Sequence, residues 1–68
     1  MLVECRSDTE YAERPIALYW QEQRLEIVEI LSRWRTPDGK RFRVRTADGQ
    51  LFELTYNQVE NLWDIRQR

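Results

Sequence analysis

A ten-residue repeat near the middle of the chain limits its fold more than any other feature. Thr36 to Arg45 reads T-P-D-G-K-R-F-R-V-R and Thr46 to Thr55 reads T-A-D-G-Q-L-F-E-L-T, so both follow T-x-D-G-x-x-F-x-[V/L]-x. A period of ten is too short for a solenoid unit and suits one strand plus one tight turn. In each copy the Asp can bond its own backbone and the Gly accepts a positive φ, the chemistry of a hairpin turn. Pro37 presets φ at the first central position of a type I turn.

Pairing then decides the register. With Pro37-Asp38-Gly39 as a three-residue loop, Trp34 lies opposite Phe42 and Arg33 opposite Arg43. With Ala47-Asp48-Gly49 as the next loop, Phe42 faces Leu54, Val44 faces Phe52 and Arg43 faces Glu53. Two-residue loops set Val44 against Glu53 and mix the faces, and a one-residue slip moves every apolar side chain to the wrong side. The spacing therefore predicts an antiparallel meander with Trp34, Phe42, Val44, Phe52 and Leu54 on one face. A polar turn from Tyr56 to Asn61 leads into a further strand, with Trp63 near Tyr56, Ile65 near Leu54 and Arg66 opposite Glu53.

Upstream, Ile16, Leu18 and Trp20 alternate, as do Leu25 and Ile27, around a polar turn at Glu22-Gln23 that sets Trp20 against Leu25 and Leu18 against Ile27. Counting back from Trp34, the inward set is Ser32, Ile30 and Val28, out of phase with Ile27. A bulge near Val28-Glu29 reconciles the two phases and lets one long strand serve two sheets. A helix from Ile16 to about Arg35, with Pro15 in its first turn, is the competing reading. In residues 1–14, Val3 and Cys5 fit an edge strand, whereas Ser7-Asp8-Thr9-Glu10 resembles a capping box; both readings stay open. The expected fold is all-β: a single domain over residues 1–68, with a four- to five-stranded meander across 15–66 forming a bent sheet or half-open SH3-like barrel.

Composition narrows the function classes. The 68 residues allow one compact core. No apolar run reaches the roughly 20 residues of a membrane-spanning helix. One cysteine, Cys5, rules out an intramolecular disulfide framework and fits a reducing, cytoplasmic setting. With no His and a single Cys there is no ligand set for zinc, and no cofactor is expected. Cys5, Ser7 and Ser32 lack a base at a recognisable spacing, and both glycines are used in turns, so no catalytic residue and no phosphate-cradling loop is expected.

Charge is unevenly spread. Residues 32–45 carry six basic side chains against one acidic, a balance of +5 in a chain whose net charge is −1. In the expected register Arg33, Arg35, Arg41, Arg43 and Arg45 all project from the outer face of two adjacent strands. That makes them a candidate anion- or nucleic-acid-binding surface. The opposing reading is a solvated face: Glu53 and Glu29 lie within reach, and a pI near 5.4 lacks the footprint of a nucleic-acid-binding domain. Trp20, Trp34, Phe42, Phe52, Tyr56 and Trp63 are assigned to the core. Tyr19, Leu31 and Leu51 are expected outward as an exposed apolar patch, the candidate protein interface, and unpaired sheet edges offer a second route to self-association.

The chain also resembles a family of short uncharacterised bacterial all-β domains. The likeness lies in Arg14-Pro15, Trp20 with Arg24, Arg33-Trp34, Phe42 to Thr46, and Asp48-Gly49 with Phe52-Glu53-Leu54. It spans residues 14 to 65 and departs from the family where Glu22-Gln23 replaces a glycine turn. Some relatives accompany error-prone DNA polymerases, which would imply an accessory role in DNA repair. The leading expectation is a non-catalytic protein-interaction module, acting as a homodimer or docking on a larger protein. The alternative is a nucleic-acid accessory domain.

Overall fold

A computed structural model of the protein describes residues 2–6 and 14–68, and these contain strands and turns but no helix. The strands are β1 (Val3–Arg6), β2 (Arg14–Trp20), β3 (Gln23–Thr36), β4 (Gly39–Thr46), β5 (Leu51–Asn57) and β6 (Leu62–Gln67). They form one antiparallel sheet in the order β1-β2-β3-β4-β5-β6. The fold class is all-β as expected, with six strands instead of four or five. The added strand is β1, so Val3 and Cys5 do sit on an edge strand, while the Ser7–Glu10 capping-box reading lies outside the described residues. The helix reading of 16–35 gives way to β2 and β3.

The sheet curls into a half-barrel because β3, 14 residues long, bends and belongs to two layers. Its first residues pair with β2, as in Leu18 with Leu25, and the remainder pairs with β4. Curling closes the two layers over a core of Val3, Leu18, Phe42, Val44, Phe52 and Leu54. Each such side chain contributes about 1.5–3 kcal/mol when fully buried. Trp20 of β2 meets Phe52 of β5 edge to face at 5.4 Å, and Trp63 stacks obliquely on Phe42 and Tyr56 at 6.1 and 5.0 Å.

The three C-terminal strands follow the expected register residue for residue. Phe42 pairs with Leu54, Val44 with Phe52 and Arg43 with Glu53. Tyr56 pairs with Trp63, Leu54 with Ile65 and Glu53 with Arg66. The Ala47-Asp48-Gly49 loop closes with Gly49 at φ 84°. The Thr46 hydroxyl, fully buried, donates to Asp48 and accepts the Gln50 N–H at 3.2 Å, which fixes the loop length. These two neighbours hold the Asp48 carboxyl below its usual pKa, Thr46 most. At the next turn, Asn57 Oδ1 accepts the N–H groups of Val59 and Glu60 at 2.9 and 3.0 Å.

Two hairpins depart from expectation. Between β3 and β4 the loop is Pro37-Asp38 alone, with Thr36 opposite Gly39, so Trp34 lies opposite Arg41 and Arg33 opposite Phe42. Gly39 is therefore a strand residue, and it is a glycine because it lies against the Tyr56 carbonyl. The slip does not turn the strand inside out because β3 carries two bulges, one between Ile27 and Glu29 and one between Ile30 and Ser32. The first is the bulge expected near Val28-Glu29. The second absorbs the shorter loop and returns Ile30 to the core face opposite Val44.

Between β2 and β3 the loop is Gln21-Glu22, not Glu22-Gln23, and Trp20 pairs with Gln23. Both loop residues have positive φ, 51° and 66°. That is the type I′ geometry whose twist matches the flanking strands, built without glycine. An L-residue held left-handed costs roughly 1–2 kcal/mol. Gln21→Asn combined with Glu22→Gly is therefore expected to stabilise the fold by about 1 kcal/mol. A thermal melt reads this as a midpoint rise of roughly 4–8 °C, and an unchanged or lower midpoint contradicts the turn assignment.

Candidate docking face

Because paired residues in an antiparallel sheet project to the same side, the register lays out the outer face as rows across the strands. One row reads Glu29, Arg45, Leu51; the next Ser32, Arg43, Glu53, Arg66; the third Trp34, Arg41, Thr55, Asp64. At each bulge two β3 residues oppose one β4 residue, which brings Val28 beside Glu29 and Leu31 beside Ser32 on this side. Val28, Leu31, Trp34 and Leu51 are all exposed, Val28 by 56%.

The expected stripe of five arginines is split. Arg41, Arg43 and Arg45 share the outer face, whereas Arg33 and Arg35 pair with Phe42 and Lys40 and project from the core face, near the exposed end of the β3–β4 hairpin. The one-residue difference in loop length is the cause. The same slip moves Trp34 from the expected core to the outer face, where it is 37% exposed. Its companion in the core reading, Ser32, moves outward with it, opposite Arg43.

The arginines on this face are not equivalent. Arg45 Nη1 lies 2.7 Å from Glu29 Oε1, and Arg41 Nη1 lies 3.9 Å from Glu53 Oε1. Four arginines (41, 43, 45 and 66) share the face with three carboxylates (29, 53 and 64), so its field is nearly neutral. Arg43 differs from the other two on β4. Its guanidinium lies over the Trp34 ring, 5.8 Å from the centroid, and its Nε is buried with no hydrogen-bond acceptor among the described residues. A buried donor without an acceptor costs about 1–3 kcal/mol. The arrangement is a planar cation parked on an exposed indole, with one N–H unsatisfied.

The expected apolar trio does not come together. Leu31 and Leu51 flank β4, roughly 10 Å apart by strand spacing. Tyr19 belongs to a different cluster at the far end of β3, opposite Arg24. Its hydroxyl donates to Glu4 Oε2, and Arg24 donates from Nε to the same oxygen at 2.8 Å and from Nη2 to Oε1 at 3.2 Å. Tyr19 and Arg24 thereby tie edge strand β1 to β2 and β3. Ala17, two residues before Tyr19, is fully buried, flanked in register by Glu4 and Glu26.

That cluster carries a pH dependence. Arg24 first, and then the Tyr19 hydroxyl, hold the Glu4 carboxyl down to about 2 from an ordinary value of 4.5. A depressed carboxyl stabilises the folded state above its unfolded pKa, and the contribution fades as pH falls from 4.5 toward 2. Glu4→Gln is expected to melt earlier than the native chain at neutral pH, with the gap closing across that window. A gap that stays constant down to the acid end would mean that Glu4 carries no such linkage.

No group of three or more Cys, Asp or Glu side chains among the described residues is placed to hold a metal ion. No family model, curated protein or solved structure matches the chain.

Proposed function

We propose that the chain is a non-catalytic protein-interaction module that docks a partner protein on the outer face of β3, β4 and β5. The observation that carries this reading is the Arg43 guanidinium lying over the exposed Trp34 ring, 5.8 Å from its centroid. Trp and Arg are the side chains that most often anchor protein interfaces. The Nε itself is buried, so a partner carboxylate or main-chain carbonyl would meet Arg43 through its Nη groups, and apolar side chains would cover Leu31, Leu51 and Val28. The near balance of charge across the rows favours a mixed polar and apolar partner over a uniformly acidic one.

The nucleic-acid reading keeps one supporting observation. An exposed indole beside arginines is also a base-stacking platform. Glu29 on Arg45 and Glu53 beside Arg41 compete with phosphates for the cations such binding needs.

The test is selection of displayed random peptides on the immobilised protein, against a Trp34→Ala, Arg43→Ala double variant verified as folded by circular dichroism. Peptides that combine a carboxylate with apolar residues should be enriched on the native chain and not on the variant. Equal enrichment on both would overturn the assignment. A parallel titration of labelled single- and double-stranded DNA at about 50 and 200 mM salt separates the readings. Salt-sensitive DNA binding lost in the same variant would replace the protein partner with nucleic acid.

A further inference from the structure

The two edges of the sheet differ. Strand β1 is a short edge of 4 residues, and its register shifts between Glu4 and Cys5. Shortness and irregularity are the usual protections of an exposed edge. Strand β6 has none of them. It runs 6 residues, LWDIRQ, without Pro, Gly or Lys and without a register shift against β5.

The hydrogen-bond phase of β6 fixes which of its main-chain groups are on offer. Arg68 N–H bonds the Leu51 carbonyl at 2.9 Å. With Gln67 opposite Phe52 and Arg66 opposite Glu53, residues 62, 64, 66 and 68 therefore turn their N–H and C=O groups toward β5. Trp63, Ile65 and Gln67 turn theirs toward the open edge. Their side chains lie on the core face, while Asp64 and Arg66 lie on the outer face, ion-paired with each other along the strand at 3.2 Å and largely exposed, 63% and 78% by side chain, so both can turn to a partner strand.

We infer that this edge pairs with β6 of a second copy of the chain, antiparallel, about a two-fold axis at Ile65. In that register Ile65 faces Ile65 of the second copy and Trp63 faces its Gln67. These are the residues whose main-chain groups point outward, so each pair is a hydrogen-bonded one. Asp64 then faces Arg66 of the second copy, and Arg66 faces its Asp64. Those are non-hydrogen-bonded pairs, in which cross-strand side chains come closest. No other two-fold register does both. An axis at Asp64 or Arg66 opposes like charges, and an axis at Trp63 leaves Arg66 beyond the paired segment. A two-fold contact must be self-complementary, and an opposite-signed pair two residues apart meets that condition. Pairing also extends the core face across the axis and covers the half-buried Trp63 and Ile65.

Light scattering and sedimentation over a concentration series test the pairing. The native chain should shift toward twice its monomer mass as concentration rises. Asp64→Arg alone and Arg66→Asp alone should each remain monomeric, because each opposes like charges at both sites. An equimolar mixture of the two should form a heterodimer, since every opposing pair is then of opposite sign. Should Arg66→Asp fail to fold beside Glu53, Gln67→Pro removes an outward N–H without touching the ladder to β5, and it must abolish dimerisation. A native chain that stays monomeric up to ~1 mM overturns the inference, as does a mixture that does not associate. Trp34→Ala should leave the dimer intact, so failure at the edge and failure at the docking face are read separately.

Discussion

Gly39→Ala is expected to part β4 from β5 at the Gly39 end and destabilise the fold, although it adds a single methyl group. A Cβ at this position would lie 1.8 Å from the Tyr56 carbonyl oxygen and 2.9 Å from its carbonyl carbon. Both are main-chain atoms of β5, so relief requires β4 and β5 to separate at the end where Gly39 pairs with Asn57. The same end is tied by the Gln58 N–H, which bonds the Asp38 carbonyl at 2.7 Å. Overpacking of this kind costs about 1–3 kcal/mol, and contact with backbone puts Gly39→Ala at the upper end of that range. Gly49 is the internal control, because a Cβ there meets nothing while its φ of 84° favours glycine. Gly49→Asn should be tolerated, since Asn visits left-handed conformations, whereas Gly39→Asn should fail as Gly39→Ala does. Chemical denaturation of the three variants checks the pair. Equal losses at both positions would mean that conformation, and not the approach of β5, explains Gly39.

Phe52→Ala should cost the most of any single truncation, about 3–5 kcal/mol. Phe52 is fully buried, sits between Val44 and Gln67 in the ladder, and meets Trp20 edge to face across the half-barrel. It is the side chain on which the β2 layer rests against the β5 layer. A domain of 68 residues has a total stability of roughly 3–10 kcal/mol, so the variant is expected to lose cooperative unfolding and near-ultraviolet dichroism. Phe52→Leu, which keeps most of the volume, should retain both. Were Phe52→Ala to melt cooperatively near the native midpoint, the two layers would not be packed through this ring.

These two residues also mark how far the sequence could be read. The register of β4, β5 and β6 was legible because each turn carries its own chemistry. Asp48 and Gly49 close one loop, and the Asn57 side chain closes the next. Between them the apolar side chains keep strict period two, so Phe52 in the core followed directly. Strand β3 is legible as far as its first bulge and not beyond it. Its second bulge compensates for a loop one residue shorter than expected, and two errors of opposite sign leave Ile30 inward under either reading. Pro37 suits the first position of the two-residue loop, but face matching with Trp34 opposite Phe42 favours the longer one. The polar run Gln21 to Gln23 marks the β2–β3 turn only to within one residue, since neither Gln21 nor Glu22 favours positive φ.

The candidate site shows the same division. Arg41, Arg43, Arg45, Leu31 and Leu51 reach the outer face as expected, because their positions depend on β4, β5 or a bulge. Trp34, the centre of the face, reads as a core residue in the sequence because the longer loop sets it opposite Phe42. Arg33 and Arg35 were placed outward by that same register and lie on the core face. Tyr19 was expected beside Leu31, but its hydroxyl is committed to Glu4 at the opposite end of β3.

The docking reading stands on Trp34 facing outward beside Arg41 and Arg43, and one nuclear magnetic resonance observation tests this most directly. Thr46 N–H bonds the Gln50 carbonyl, so even-numbered residues of β4 direct their main-chain groups to β5 and odd-numbered ones to β3. Phe42 and Arg33 are then a non-hydrogen-bonded pair, with Cα atoms about 4.5 Å apart and α-protons in contact. A strong Overhauser effect between the Arg33 and Phe42 α-protons is the predicted result, accompanied by one between Arg35 and Lys40. A strong effect between the Trp34 and Phe42 α-protons instead would return Trp34 to the core face and remove the docking face at its centre.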